Sequence, residues 1–262
     1  MIPRLSIALF RYTDDVPAMI EFLTVLGLRP PAISERTERL GHSTYPPLAG
    51  QSTRYVLRAT TRAAEVGRTS LGLGTDDLDG TVEALRTSGG TIASWDTAFG
   101  RSGRVETTRG PLRIDDISSP SDLDGSHTDT ERPERPERTE HVDVLPVLFS
   151  STVATDRDVL TALSFTLDDE REGAELWEAP AGGRLLLHRA HGDRVDQNDW
   201  TVAPGIHSDV NPDALVHRLS RIGYTDARLT EGAVHVTDPD GQHVEVHPMP
   251  SASSPVPSPS SG

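Results

Sequence analysis

Three landmarks recur along this chain at nearly constant spacing, and a repeat constrains a fold more than any single motif. The helix-start aspartates Asp15 and Asp156 lie 141 positions apart, the helix-stop glycines Gly89 and Gly223 134, and the last-strand glycines Gly110 and Gly241 131. Such offsets point to tandem duplication of a unit of about 110 residues. The stretches D-D-L-D-G-T-V-E-A-L-R-T-S-G-G and D-V-N-P-D-A-L-V-H-R-L-S-R-I-G then read as one helix in its two copies.

Within the first unit, Leu5, Ile7 and Leu9 alternate with Ser6, Ala8 and Phe10, the period of a strand. Asp14 and Asp15 offer an N-cap, Pro17 is tolerated in a first turn, and Val16, Met19, Ile20, Leu23 and Leu26 form a helical stripe that Gly27 ends. The pattern then repeats. Ser70–Gly74 is a strand, Asp76-Asp77 caps a helix, and strands follow at 91–94, 104–107 and 112–117. The second unit reads the same way from Val144. It closes on a hairpin, V-H-V-T-D-P-D-G-Q-H-V-E-V-H, whose turn is Asp238-Pro239-Asp240-Gly241.

Residues 119–141 carry two Glu-Arg-Pro repeats and no apolar period, so they read as a charged Pro-rich linker. Residues 249–262 read as a disordered Pro/Ser tail. The expected organisation is one unit over 1–118 and another over 142–248.

Composition excludes several function classes. There is no cysteine, which removes disulfides, thiolate nucleophiles and Cys-type zinc sites. All 25 basic residues are arginine, which removes Schiff-base chemistry. A net charge of −15 argues against nucleic acid and permits a cationic ligand. No apolar run is long enough to span a bilayer and the N-terminus lacks a signal-peptide pattern, so no membrane partner and a cytoplasmic location are expected. No Walker loop, G-x-S-x-G or dinucleotide fingerprint is present.

Y-T-D-D-V-P-A-M-I-E-F-L, T-D-D-L-D-G-T-V-E-A-L-R-T-S-G-G and D-P-D-G-Q-H-V-E-V together resemble motifs of the vicinal oxygen chelate superfamily. That superfamily includes glyoxalase I, extradiol dioxygenases and fosfomycin- and bleomycin-resistance proteins. The resemblance covers nearly all of residues 4–118 and 143–248. It implies an α+β fold of tandem βαβββ modules forming two cup-shaped, glyoxalase-like domains.

Metal-using members place a His, Gln or Glu on the first strand of a module and a Glu on its last. By that pattern the first unit offers Ala8, Ser70 and Asp115, a single carboxylate. The second offers Phe149, Leu186, Gly205 and Glu245, of which only Glu245 is a ligand. His188 and His207 lie two residues beyond Leu186 and Gly205 on the same strand faces, so a shifted site from His188, His207 and Glu245, with His243 or His247, is the alternative.

The resulting expectation is a small-molecule-binding protein of bleomycin-resistance type, metal-free, monomeric or homodimeric, sequestering a ligand that could be cationic. Its expected cup residues are Ala8, Phe10, Ser70, Arg113 and Asp115 in the first unit, and His188, His207, Glu245 and His247 in the second. The alternative is a lyase, isomerase or dioxygenase using a divalent metal ion in the second unit alone.

Overall fold

The computed structural model describes residues 4–28, 42–45, 53–97, 100–116, 141–171, 173–190 and 200–249. Apart from His141 and Met249, the expected linker and tail lie outside them.

In the first unit, β1 (Leu5–Thr13) leads into α1 (Val16–Val25), β2 (His42–Tyr45) and β3 (Arg54–Ala59). A second module follows: β4 (Thr69–Thr75), α2 (Leu78–Thr87), β5 (Thr91–Thr97), β6 (Gly100–Thr107) and β7 (Gly110–Asp116). The second unit repeats the order with β8 (Val142–Ser150), α3 (Val153–Ala162), β9 (Thr166–Arg171), β10 (Ala174–Glu178) and β11 (Arg184–Arg189). It ends with β12 (Ala203–Ser208), α4 (Pro212–Arg221), β13 (Arg228–Thr230), β14 (Ala233–Thr237) and β15 (His243–Pro248).

Two mixed sheets result, in the orders β2-β3-β1-β4-β7-β6-β5 and β13-β14-β15-β12-β8-β11-β10-β9. Each draws its strands from one unit, so modules pair within units. The joint is antiparallel in both, β1 with β4 and β8 with β12.

Local chemistry explains the helix ends. The Asp15 carboxylate accepts from the Ala18 amide at 2.9 Å, Asp77 from Gly80 at 2.9 Å, and the Asn211 side chain from Ala214 at 3.2 Å. Gly27, Gly89 and Gly223 follow their helices at φ of 103°, 88° and 105°, which only glycine adopts at low cost. The expectation that Asp156 begins α3 is corrected. Thr152 is the N-cap there, without a side-chain cap bond, and Asp156 lies buried in the first turn.

One face of each sheet is apolar and packs the helices. Leu5, Ile7 and Leu9 meet Met19, Phe22 and Leu23, while Val244 and Val246 belong with Leu215 and Leu219. These residues form one hydrophobic cluster that runs through both units. Burial of each such side chain contributes about 1.5–3 kcal/mol. The Phe22 and Tyr224 rings, 5.1 Å apart, join α1 to the residues just after α4.

Two buried ion pairs hold the units together. Arg11 of β1 is clamped by Asp238 and Asp240 of the β14–β15 turn, and Thr13 donates to Asp240 at 2.7 Å. In the opposite sense, Arg109 of the β6–β7 turn pairs with Asp156 and donates to the Phe149 carbonyl at 2.9 Å. The final turn of each unit is thus seated on the opening module of the other.

Candidate functional site

In a strand, residues that do not pack the helices face the other way, so the open face of each sheet can be read from parity. On β1 these are Ser6, Ala8 and Phe10, and here they are only 6%, 3% and 2% exposed. The Phe10 ring lies over Gly72, where any Cβ would fall 2.0 Å from it. Arg58 covers the ring at 4.4 Å and Arg113 approaches it at 5.7 Å. Asp115 accepts from Arg113 at 2.6 Å, Ser102 at 2.7 Å and Arg58 at 3.3 Å. Burial and then Arg113 hold the Arg58 guanidinium below its ordinary value. Around Phe10 the open face of the first sheet is therefore filled, and two guanidiniums, Arg58 and Arg113, stand there against the one carboxylate of Asp115.

The corresponding face of the second sheet is more open. Leu145 and Val147 of β8 and Leu186 of β11 are half-buried, and Phe149 is 42% exposed. They form an apolar floor. At one end of it lie His207, Glu245 and His247, and beyond them His243 and His235. Parallel pairing of β12 with β15 sets His207 beside His247, their rings 5.7 Å apart. Burial, and next His247, push the His207 imidazole below its ordinary value. Its Nδ1 is buried with no hydrogen-bond partner among the described residues.

Glu245 stands among imidazoles. Its Oε1 is 3.4 Å from His243 Nε2 and 3.7 Å from His235 Nδ1, and its Oε2 is 3.6 Å from His247 Nε2. His235 is the direct cross-strand partner of Glu245 in the hairpin. It is absent from the residues expected from sequence. The V-H-V alternation of the first arm, read with the Asp238–Gly241 turn, is the signal that places it there.

Strand register also tests the positions at which the resemblance implied metal ligands. Gly205 pairs with Leu145 and, one place before the Ile206–Val246 pair, stands beside Glu245. The row is Glu245, Gly205, Leu145, which offers one ligand. Gly205 cannot simply be exchanged for a ligand, because a Cβ there would lie 2.7 Å from the Leu145 carbonyl oxygen. In the first sheet the matching row is Asp115, Gly74, Ser6, again one carboxylate. One carboxylate in each row does not fit a metal there.

The register corrects several expected positions. Phe149 and Leu186 lie outside the Glu245 row. Ser70 sits beside Phe10 and bridges to Thr201 of the second unit, rather than lying in the Asp115 row. His188 does not meet His207 and Glu245. His188 pairs with Phe149 and His207 with Asp143, six residues apart on β8, or about 20 Å along the strand. His188 instead donates from Nδ1 to the Arg189 carbonyl at 2.9 Å and tilts against Phe149. The structure does bring together Phe10, Arg113 and Asp115, and separately His207, Glu245 and His247.

No protein-family model matches the sequence, and no curated protein matches it. Solved structures do. Catechol 2,3-dioxygenase is similar over 95% of this chain and 88% of its own, with a TM-score of 0.57 and 13% identity. Homoprotocatechuate 2,3-dioxygenase from Arthrobacter globiformis is similar over 95% and 80%, with a TM-score of 0.53 and 15% identity. A hypothetical protein from Staphylococcus aureus is similar over 95% of this chain and 100% of its own, at 0.53 and 8%. The fold is shared with these extradiol dioxygenases: α+β, with two mixed sheets of βαβββ-type modules.

Proposed function

We propose that this protein binds a small organic molecule on the open face of its second sheet, without a metal at the row where its fold would place one. The observation that carries this reading is that row itself: Glu245 keeps a carboxylate, while Gly205 and Leu145 leave an uncoordinated, apolar floor beside it. A guest would lay an apolar body on Leu145, Val147, Leu186 and Phe149. It would turn a cationic or hydrogen-bond-donating head toward Glu245. The first sheet is a poorer host for such a guest, since Phe10 fills it and guanidiniums outnumber carboxylates there. This is sequestration of the bleomycin-resistance type rather than ring cleavage.

The test is thermal-shift and calorimetric screening of cationic antibiotics, catechols and short oxo-acids, with and without chelator. A cationic amphipathic ligand should raise the melting temperature with chelator present, and Glu245→Gln should weaken it. Absence of any ligand would favour an assembly module instead. Turnover of a catechol or oxo-acid that appears only on adding a divalent metal would favour the lyase, isomerase or dioxygenase reading.

A further inference from the structure

The hairpin at the edge of this face gives Glu245 two partners, His235 and His243, that ligand sequestration does not use. His235 Nδ1, His243 Nε2 and Glu245 Oε1 form a closed triangle with sides of 3.0, 3.4 and 3.7 Å. Ligand atoms on one face of a tetrahedral zinc ion are about 3.3 Å apart, given zinc–ligand bonds of about 2.0–2.1 Å. The point equidistant from the three atoms lies about 2.0 Å from each. An ion displaced slightly from their plane would reach all three at bonding distance without movement of the backbone.

The second observation concerns the proton on His235. Its Nε2 is 3.3 Å from the Thr230 carbonyl oxygen. A carbonyl only accepts, so Nε2 carries the proton and Nδ1 presents a lone pair to the triangle. Metal-binding histidines are oriented in this way, by a backbone carbonyl on the far nitrogen. The rings of His235 and His243 stack at 5.1 Å, which fixes their relative orientation further. The backbone beneath is equally defined. His235 and Glu245 are cross-strand partners, and His243 lies two residues before Glu245 on the same face.

We propose that His235, His243 and Glu245 form a divalent transition-metal site on the β14–β15 hairpin, sharing Glu245 with the row described above and taking its other two ligands from outside it. Two imidazoles and one carboxylate select zinc, cobalt or nickel over magnesium or calcium, which take oxygen ligands. Three ligands on one side leave the remaining coordination positions open to water or to a donor group of a molecule on the adjacent face. His243 Nε2–H donates to His235 Nδ1. Loading requires that proton to leave or to move to the other ring nitrogen. The proposal stands whether or not the apolar floor binds a ligand.

The full-length protein, stripped with chelator and dialysed, is titrated with Zn²⁺ and with Co²⁺. Binding is followed by competition with a chromophoric chelator and by the cobalt absorption spectrum. One ion per chain is expected, with a tetrahedral or five-coordinate cobalt spectrum. His235→Ala and Glu245→Gln should each weaken binding at least tenfold, while His188→Ala leaves it unchanged. Thermal unfolding of the metal-free variants checks that they fold. Stoichiometric binding that survives His235→Ala would overturn the assignment, as would no binding by folded wild-type protein. Metal binding by wild-type protein that binds none of the screened small molecules would sink the sequestration reading alone.

Discussion

Arg11 and His207 show how much single side chains carry here. The Arg11 side chain is 3% exposed, and its partners Asp238 and Asp240 are 3% and 0% exposed. Burial, and to a lesser degree Asp240, raise the Asp238 carboxyl, while Arg11 and the backbone amides of Gln242 and Asp240 oppose that rise. Arg11→Met removes the cation and leaves two carboxylates in a dry site. It should cost about 3–5 kcal/mol of stability, measured by urea denaturation. Replacing all three residues with apolar ones should cost less, because the penalty comes from the stranded charges. His207 predicts a pH effect. Its folded value is depressed by burial and then by His247, so the unfolded chain takes up the proton first as pH falls below about 6.5. The stability it contributes is present above that pH and is lost as pH drops toward the folded value. Asp143 favours the proton while Arg184 and His247 oppose it. His207→Asn should flatten the stability curve relative to wild type below about pH 6.5, by denaturation midpoints across a pH series.

At the scale of strands and helices, β8 and β12 are held unusually close where Gly205 meets the Leu145 carbonyl. Gly205→Ala should cost about 1–3 kcal/mol, because the backbone of β8 must give way. Gly205→His, which would restore a ligand to the row, should cost more and should not create a metal site. Protein yield and metal content check both. Much of this level was legible beforehand. Asp15, Asp77 and Asn211 announced their helices, and Gly27, Gly89 and Gly223 ended them, because capping and positive φ are local demands. β9 and β13 were not legible. Thr166–Arg171 is exposed along most of its length, and Arg228–Thr230 is exposed throughout, so neither shows the alternation that marks a strand. They are strands because a neighbour's edge pairs with them. The candidate site divides in the same way. Parity put Glu245, His207 and His247 on one face. Only register across three strands could show that His188 belongs to the far end and that Leu145, rather than Phe149, shares the Glu245 row.

For the molecule as a whole, one hydrophobic cluster and two reciprocal ion-pair contacts make the units a single cooperative body. Fluorescence, reporting Trp95 in the first unit and Trp177 and Trp200 in the second, and far-UV circular dichroism should give coincident denaturation curves. Separate transitions would show the units to be independent. Cleavage at a protease site inserted between 119 and 141 should leave the two fragments associated on a sizing column. The two contacts also have a polarity that bears on which surfaces can meet. The first unit supplies the arginine to both, Arg11 on its opening strand and Arg109 on its final turn. The second supplies the carboxylates to both, Asp238 and Asp240 on its turn and Asp156 on its opening helix. Two first units brought together in the same way would set Arg109 toward Arg11. Two second units would set Asp238 and Asp240 toward Asp156. Like charges desolvated against one another cost several kcal/mol. A duplicated pair of otherwise interchangeable halves has thereby become a lock and a key, able to recognise each other and to refuse copies of themselves.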